Sequence, residues 1–317
     1  MTPTGSPFGP DTTADELLEG RDLGGTTALV TGASGGLGLE TVRALANHGA
    51  SVIAAARDVS KAQTALAAAG ITAAHHVKVE ELDLASLASV RACADRVTAG
   101  NDHIDLLFAN AGVMACPEGR TADGFEVQFG TNHLGHFVFV NRLVPLLVAG
   151  APSRVISLAS AGHRFGAVDF DDPNFETRPY DALAAYSASK EANVLFAVEL
   201  DRRLRTRGVR AVAVHPGTIF TDLPRHLSQQ SQEVMAARPT KSVAAGAATS
   251  VWAAVVADAD AVGGRYAEDC GLAPVTDAPI DPMNEKVTGV RPQALDPARA
   301  GHLWALSEEL VGERFEP

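Results

Sequence analysis

A tyrosine and a lysine stand four positions apart in AYSASKEANVLF, residues 185–196. On a helix, positions i and i+4 share a face, so the Lys190 ammonium can lie near the Tyr186 phenol. An unperturbed phenol has a pKa of about 10, too high for a base at neutrality. A neighbouring cation favours the phenolate, which would make the pair an acid–base catalyst. The plainer reading is a solvated helix face with a stray charge. Two further polar groups bear on the choice. Ser160 ends the apolar run RVISLAS, where its hydroxyl could donate to a substrate oxygen. Asn132, in TNHLGHF, is polar on an apolar face. It suits either a held water that relays protons toward Lys190 or a satisfied core amide.

A second chemistry is written in TGASGGLG, Thr31 to Gly38. Gly32, Gly36 and Gly38 follow one strand-like run and open a helical one. Glycines there let the backbone turn sharply, approach a pyrophosphate and pack helix on strand. The helix N-terminus supplies unpaired N–H groups and a positive dipole end. The candidate phosphate-binding set is Gly32, Ser34, Gly35, Gly36, Leu37 and Gly38. The next strand ends AAARD, which puts Arg57 where an acid would bond a ribose 2′-hydroxyl. A guanidinium there can grip a 2′-phosphate, which favours NADP over NAD. Lys61 could add charge and Asp58 could oppose it; an exposed loop arginine is the plainer alternative.

These groups need a scaffold. Apolar runs at 26–32, 50–56, 75–84, 104–112, 153–160 and 209–217 read as strands, with 263–269 a candidate seventh. Between them, 39–49, 60–70, 85–100, 124–149 and 184–207 read as helices, the last closed by Gly208. Such alternation implies βαβ units, and strands apolar on both sides imply a parallel sheet covered on both faces. The expected architecture is an α/β doubly wound parallel sheet of the Rossmann type, with about seven strands. Residues 1–25 are expected to be a flexible extension with a short helix capped at Thr13. Residues 26–317 then form a single domain. Segments 162–181 and 218–240 leave the carboxyl ends of strands, where ligands bind in open α/β sheets.

Composition excludes several classes. Thirty-eight acids against 26 bases give a net charge of −12, which disfavours nucleic acid. Nothing resembles a signal peptide or a membrane span, so a cytoplasmic protein without membrane contact is expected. Cys93, Cys116 and Cys270 are odd in number and lack metal spacing, so they read as reduced thiols. His133 and His136 lie i, i+3 without an evident third ligand, so no metal is expected. His163 reads either as a substrate neighbour or as a loop residue without a role, and His215 as packed at a strand end. The apolar helices 124–149 and 184–207 could pair across a homodimer.

In order, TGASGGLG, NAG (110–112), TNHLG, the serine strand, YSASK and HPG (215–217) resemble the short-chain dehydrogenases/reductases over residues 26–270. The branch resembled is that of reductases related to retinol dehydrogenases. There too the gap between serine and tyrosine is long, and here DFDDPNF fills it. The resemblance implies an NADP(H)-dependent oxidoreductase acting on a carbonyl or alcohol. It gives Tyr186 as proton donor and acceptor, and Ser160 as carbonyl binder. Lys190 holds the nicotinamide ribose and lowers the tyrosine pKa, and Asn132 completes a tetrad. Asp83 and Leu84 would contact adenine, and Asn110, with Ala111 and Gly112, the adenosine ribose region. Pro216, Gly217, Thr218 and Thr221 would cradle the carboxamide. The branch's N-terminal membrane-anchoring helix has no counterpart, which speaks against a retinoid. Glu191 stands where the branch has an apolar residue. A partly apolar carbonyl compound is the expected substrate, with the NADP preference leaning toward reduction. The rival readings are a non-catalytic NADP(H)-binding sensor on the same fold, and an epimerase or dehydratase that also uses Tyr-x-x-x-Lys.

Overall fold

Runs without a polar side can hide only between two layers, and the computed structural model places them there. It describes residues 7–219, 221, 223–227, 229, 233, 240–279 and 287–316. The strands are β1 (Thr27–Thr31), β2 (Ser51–Ala56), β3 (Val77–Glu81), β4 (Leu106–Ala109), β5 (Ser153–Leu158), β6 (Val209–His215), β7 (Tyr266–Glu268) and β8 (Gly271–Leu272). They form one sheet in the order β3-β2-β1-β4-β5-β6-β7-β8. All pairs are parallel except β7–β8. The sheet thus has eight strands rather than about seven. The added antiparallel edge strand has only two residues, too few to leave a periodic signal. Successive strand residues face opposite sides. In β1, Leu29 enters one core while Ala28 and Val30 enter the other.

Helices α1 (Ala14–Leu18), α2 (Gly36–Asn47) and α3 (Val59–Ala68) cover the second face with a later helix, Val243–Val251. The first face carries α4 (Leu87–Gly100) and the pieces of the expected helix 124–149. That segment is not one helix. A turn at Val127–Phe129 (α5) leads into a π-helical turn, Gly130–Leu134, then α6 (Gly135–Arg142) and α7 (Val144–Ala149). Pro145 sits in the first turn of α7, where its missing N–H costs no helical bond. The π turn holds Asn132, and such turns are frequent at functional sites. Helix α8 (Ala182–Leu204) follows; Gly208 beyond it has φ +78°, a left-handed turn that suits glycine.

Two expectations are corrected. The stretch 1–25 is not a loose extension over its described part. Thr13 caps α1 through a reciprocal bond with Glu16, and Ala14, Leu17 and Leu18 are buried in the second core. Residues 1–6 lie outside the described residues. The second concerns α8, expected to have an apolar face free to pair across a homodimer. From Ala185 to Asp201, α8 is buried without a break within the single chain. The C-terminal helix Pro297–Val311 covers it, with Trp304 edge-on to Phe137 at 5.0 Å and beneath the Arg203 guanidinium at 4.3 Å.

Candidate active site

The carboxyl ends of β1 to β6 converge where the strand order switches between β1 and β4, the usual ligand crevice of such sheets. Gly32, φ +73°, leaves β1 where a Cβ would stand 3.0 Å from the Ala111 Cα, so any side chain would strain and crowd the turn. A Cβ at Gly38 would collide with the Gly32 carbonyl, whereas one at Gly35 would meet nothing within 4 Å. The turn is therefore tight on its inner side and open on the outer. Helix α2 starts there with no side-chain cap and no acid in its first turn. Its first N–H groups are left for an anion, as a pyrophosphate would need. Thr221 lies beside Gly36: its Cγ2 is 3.4 Å from where a Gly36 Cβ would stand. Ser34 and Leu37 are partly exposed on the same turn.

Arg57 is exposed just past β2 and makes no ion pair among the described residues. The neighbouring Asp58 carboxylate caps α3, accepting the Lys61 N–H at 2.9 Å. Past β3, the Asp83 carboxylate accepts the Ala85 N–H at 3.0 Å. Leu84 turns its side chain into the first core, and its backbone lies against Gly135. Past β4, the Asn110 amide donates to the Thr31 carbonyl at 2.8 Å, and the Asn110 and Ala111 N–H groups both donate to the Thr31 hydroxyl at 2.9 Å. Past β6 come Pro216, which is buried, then Gly217, φ +98°, and Thr218. The Lys241 stem packs on Gly217, and its Nζ pairs with Asp269 at 2.6 Å. Sequence reasoning did not single out Lys241. Of segment 218–240, residues 220, 222, 228, 230–232 and 234–239 lie outside the described residues.

Ser160 stands two residues beyond β5 and caps a 3-10 turn, its hydroxyl accepting the Gly162 N–H at 3.0 Å. It also hydrogen-bonds Tyr186. The Tyr186 ring lies against Gly162; a Cβ there would be 3.0 Å from Cε1 and 3.2 Å from the Ser160 oxygen. A side chain there would press on both groups. Lys190 is one turn on, 4% exposed, with Nζ 5.8 Å from the Tyr186 ring centre. It donates to the Leu158 carbonyl at 2.9 Å. Nζ also faces the Asn110–Gly112 loop, 3.4 Å from where a Gly112 Cβ would stand. The loop after β4 thus touches Lys190 at Gly112 and the head of the glycine turn at Thr31, and the residues present fit a bound dinucleotide.

Burial dominates the ionisation of both groups. It pushes Tyr186 above the usual phenol range, opposed by the Ser160 hydrogen bond. It lowers Lys190 to about 8. Asn132 is held through both sides of its amide. Its Oδ1 accepts the Val113 N–H at 2.8 Å, while Nδ2 donates to the Val113 carbonyl and to Ser189, both at 2.9 Å. The amide has both its hydrogens engaged, and its Oδ1 keeps one lone pair. It clamps the loop after β4 to α8.

Two histidines are more involved than their sequence positions suggested. His163 is buried, and its Nδ1 donates to the Ser160 carbonyl at 2.6 Å while Nε2 accepts the Arg291 N–H at 3.4 Å. It holds Ser160 from behind and does not face a substrate. His136 reaches both Thr31 and Asn132. His215 packs at the end of β6 and accepts the Ala161 N–H at 3.2 Å. No cluster of metal-ligating side chains occurs among the described residues, and none of their helices is long and apolar enough to cross a membrane. All three cysteines are buried free thiols.

Residues 26–232 match the family model described as short chain dehydrogenase. Human retinol dehydrogenase 13 is 41% identical over 296 residues, spanning 91% of this chain and 85% of that protein. A crystal structure of an uncharacterized protein from Mycobacterium paratuberculosis superposes with a TM-score of 0.74 at 36% identity, covering 97% of this chain and all of that one. The Pseudomonas aeruginosa RhlG/NADP active-site complex superposes at 0.58 with 26% identity, covering 73% and 89% of the two chains.

Proposed function

The chain belongs to the short-chain dehydrogenase family, an oxidoreductase acting on CH–OH and C=O groups of small molecules, and we propose that it uses NADP(H) with Tyr186 as general acid and base. The observation that carries this reading is the packing of Tyr186 and the Ser160 hydroxyl around Gly162, one helical turn from the buried Lys190, whose ammonium faces the loop after β4. The cradle Gly32–Gly38 would hold the pyrophosphate, with Thr221 beside it. Asp83 and Leu84 would border the adenine, the latter through its backbone, and Asn110, Ala111 and Gly112 the adenosine ribose. Pro216, Gly217 and Thr218 would line the nicotinamide end. Arg57, exposed just past β2 and without an ion pair among the described residues, would bind a 2′-phosphate; the similarity to a protein solved with NADP supports the same choice.

When bound, NADP(H) supplies the hydride equivalent that the protein's own side chains cannot. The protein positions and handles protons. Ser160 donates to the substrate oxygen and fixes it beside Tyr186. Tyr186, held protonated by burial, passes its phenolic proton to that oxygen in reduction and takes it back in oxidation. Lys190, anchored on Leu158, would hold the nicotinamide ribose hydroxyls. Asn132 acts through Val113 and Ser189, so it is a positioning residue. Preassembled donors at the developing oxyanion supply stabilisation without reorganisation.

Tyr186→Phe should lower turnover by about 10²–10⁴ while leaving NADPH affinity within about twofold. NADPH oxidation over a panel of ketones and aldehydes reads the first, and fluorescence titration the second. Retained turnover would remove Tyr186 from the proton route. Binding without turnover by the unmodified protein would point to a sensor. Arg57→Asp should weaken NADPH far more than NADH; equal loss of both would show that Arg57 does not read the phosphate.

A further inference from the structure

His136 is 2% exposed and one helical turn beyond Asn132, and both its ring nitrogens are engaged. Nδ1 lies 2.9 Å from the Asn132 carbonyl, which can only accept, so Nδ1 carries the proton. Burial depresses this imidazole to about 4, so it is neutral at ordinary pH and Nε2 is bare. Nε2 must therefore accept the Thr31 hydroxyl, also at 2.9 Å. The rival acceptor for that hydroxyl, the Phe108 carbonyl, is farther at 3.3 Å. With its proton so directed, the Thr31 oxygen turns its lone pairs to the Asn110 and Ala111 N–H groups, 2.9 Å from each. A single chain of hydrogen bonds runs from the loop after β4, through Thr31 at the head of the glycine turn and His136, to the π turn that bears Asn132.

We propose that His136 is a positioning residue of the active site, a neutral two-ended bridge that sets the dinucleotide turn and the Asn132 clamp in register with each other. Asn132 holds Val113 and Ser189, and Ser189 in turn donates to the Tyr186 carbonyl at 2.7 Å, so the bridge reaches the helix that bears Tyr186 and Lys190. The two ends have separate consequences. The Thr31 end shapes the loop and turn that face a cofactor. The Asn132 end shapes the clamp on α8. The inference rests on the site reading given above, and its test separates the two.

Two amides divide the imidazole. In His136→Gln the side-chain amide reaches the place of Nε2 and can accept from Thr31. In His136→Asn it reaches the place of Nδ1 and can donate to the Asn132 carbonyl. His136→Phe does neither. Relative to Phe, Gln should recover NADPH affinity, with Kd about tenfold tighter, and Asn should recover kcat by a similar factor. In a double-mutant cycle read by NADPH Kd, His136→Phe should add little to Thr31→Val, because the bond it breaks is already gone there; Thr31→Val alone costs more, since it also strands the Asn110 and Ala111 N–H groups. Gln and Asn behaving alike in both readouts, or Thr31→Val and His136→Phe losses that multiply, would overturn the bridge. Should the Phe variant fail to fold, nitrogen-15 shifts of the unmodified protein decide: a bare Nε2 and protonated Nδ1 persisting below pH 6 are expected, and the opposite tautomer overturns it. Absence of turnover with the coupling intact would strike the proposed activity and leave the bridge standing.

Discussion

Lys190 is the costliest single group in the site. Its ammonium is 4% exposed, and burial has lowered its pKa from 10.5 to about 8. Below pH 8 the folded protein carries a charge that the unfolded chain solvates better, so the lysine destabilises the fold at neutrality. The deficit shrinks as pH rises from about 8 to 10.5, where the unfolded chain keeps a proton that the folded chain has shed. Its hydrogen bond adds little, because the Leu158 carbonyl that it reaches also receives the Asn193 amide at 3.0 Å. Lys190→Met, similar in volume, should therefore stabilise the cofactor-free protein by about 1–3 kcal/mol at pH 7 while abolishing turnover. Urea denaturation with an activity assay checks both. A less stable Met variant would mean that Lys190 serves the fold rather than the chemistry. Tyr186 and Lys190 were legible in the sequence because their four-residue spacing is local. Thr31 and His136 meet across 105 positions, and no spacing rule reaches that far. The nearest clue was that His136 stands one turn from Asn132.

Among the elements, the segment after β5 and the C-terminal helix are joined to α8 through one carboxylate. Glu191 is fully buried. Its Oε2 accepts the Val168 N–H at 2.6 Å and pairs with Arg299 at 3.0 Å, and its Oε1 accepts the Gln293 amide at 2.8 Å. One residue beyond Lys190, it binds the stretch 162–181 and the chain around 293–299 to the catalytic helix. Removing it strands a buried N–H and a guanidinium, so Glu191→Ala should cost about 3–5 kcal/mol. Glu191→Gln keeps an acceptor oxygen and should lose less, by about 1–3 kcal/mol. If 162–181 shapes the substrate side, the Gln variant should raise KM several-fold and leave NADPH Kd unchanged. Steady-state kinetics and titration separate these; a Kd that moves with KM would place the damage at the cofactor instead. At this scale the edge strand β3, VKVEE, is half polar, but the central strands were readable because they are apolar on both faces. The break in 124–149 was not, since Pro145 can end a helix or begin one, and the choice was made by packing. Nor was the covering of α8, whose apolar stripe looks the same whether a second subunit or the chain's own C-terminal helix fills it.

The whole molecule should lose stability toward mild acid, and three buried histidines set the window. His133, His136 and His163 are held by burial at about 3, 4 and 4, against 6.5 in the unfolded chain. A depressed imidazole binds its proton more readily when unfolded. Unfolding therefore takes up protons, and stability falls as pH drops from about 6.5 toward 4, levelling only below the folded values. Each histidine contributes a slope of up to about 1.4 kcal/mol per pH unit, so the three together remove on the order of 5 kcal/mol between pH 7 and 5. The net charge of −12 acts oppositely, since protonation relieves self-repulsion, but those charges sit mostly at the screened surface. Carboxylates that are lowered by their partners, such as Glu80 and Glu199, add their loss only below about 4.5. The imidazoles therefore titrate first. His133 is the cleanest to remove: its ring packs among Phe129, Phe137 and Phe196, and its bond to Ser307 joins the C-terminal helix. His133→Phe should flatten the stability profile between pH 7 and 5 by about a third, read from urea midpoints at each pH. A profile of the unmodified protein that stays level across that range would show that these rings are solvated and that the packing around the π turn is looser than the structure has it.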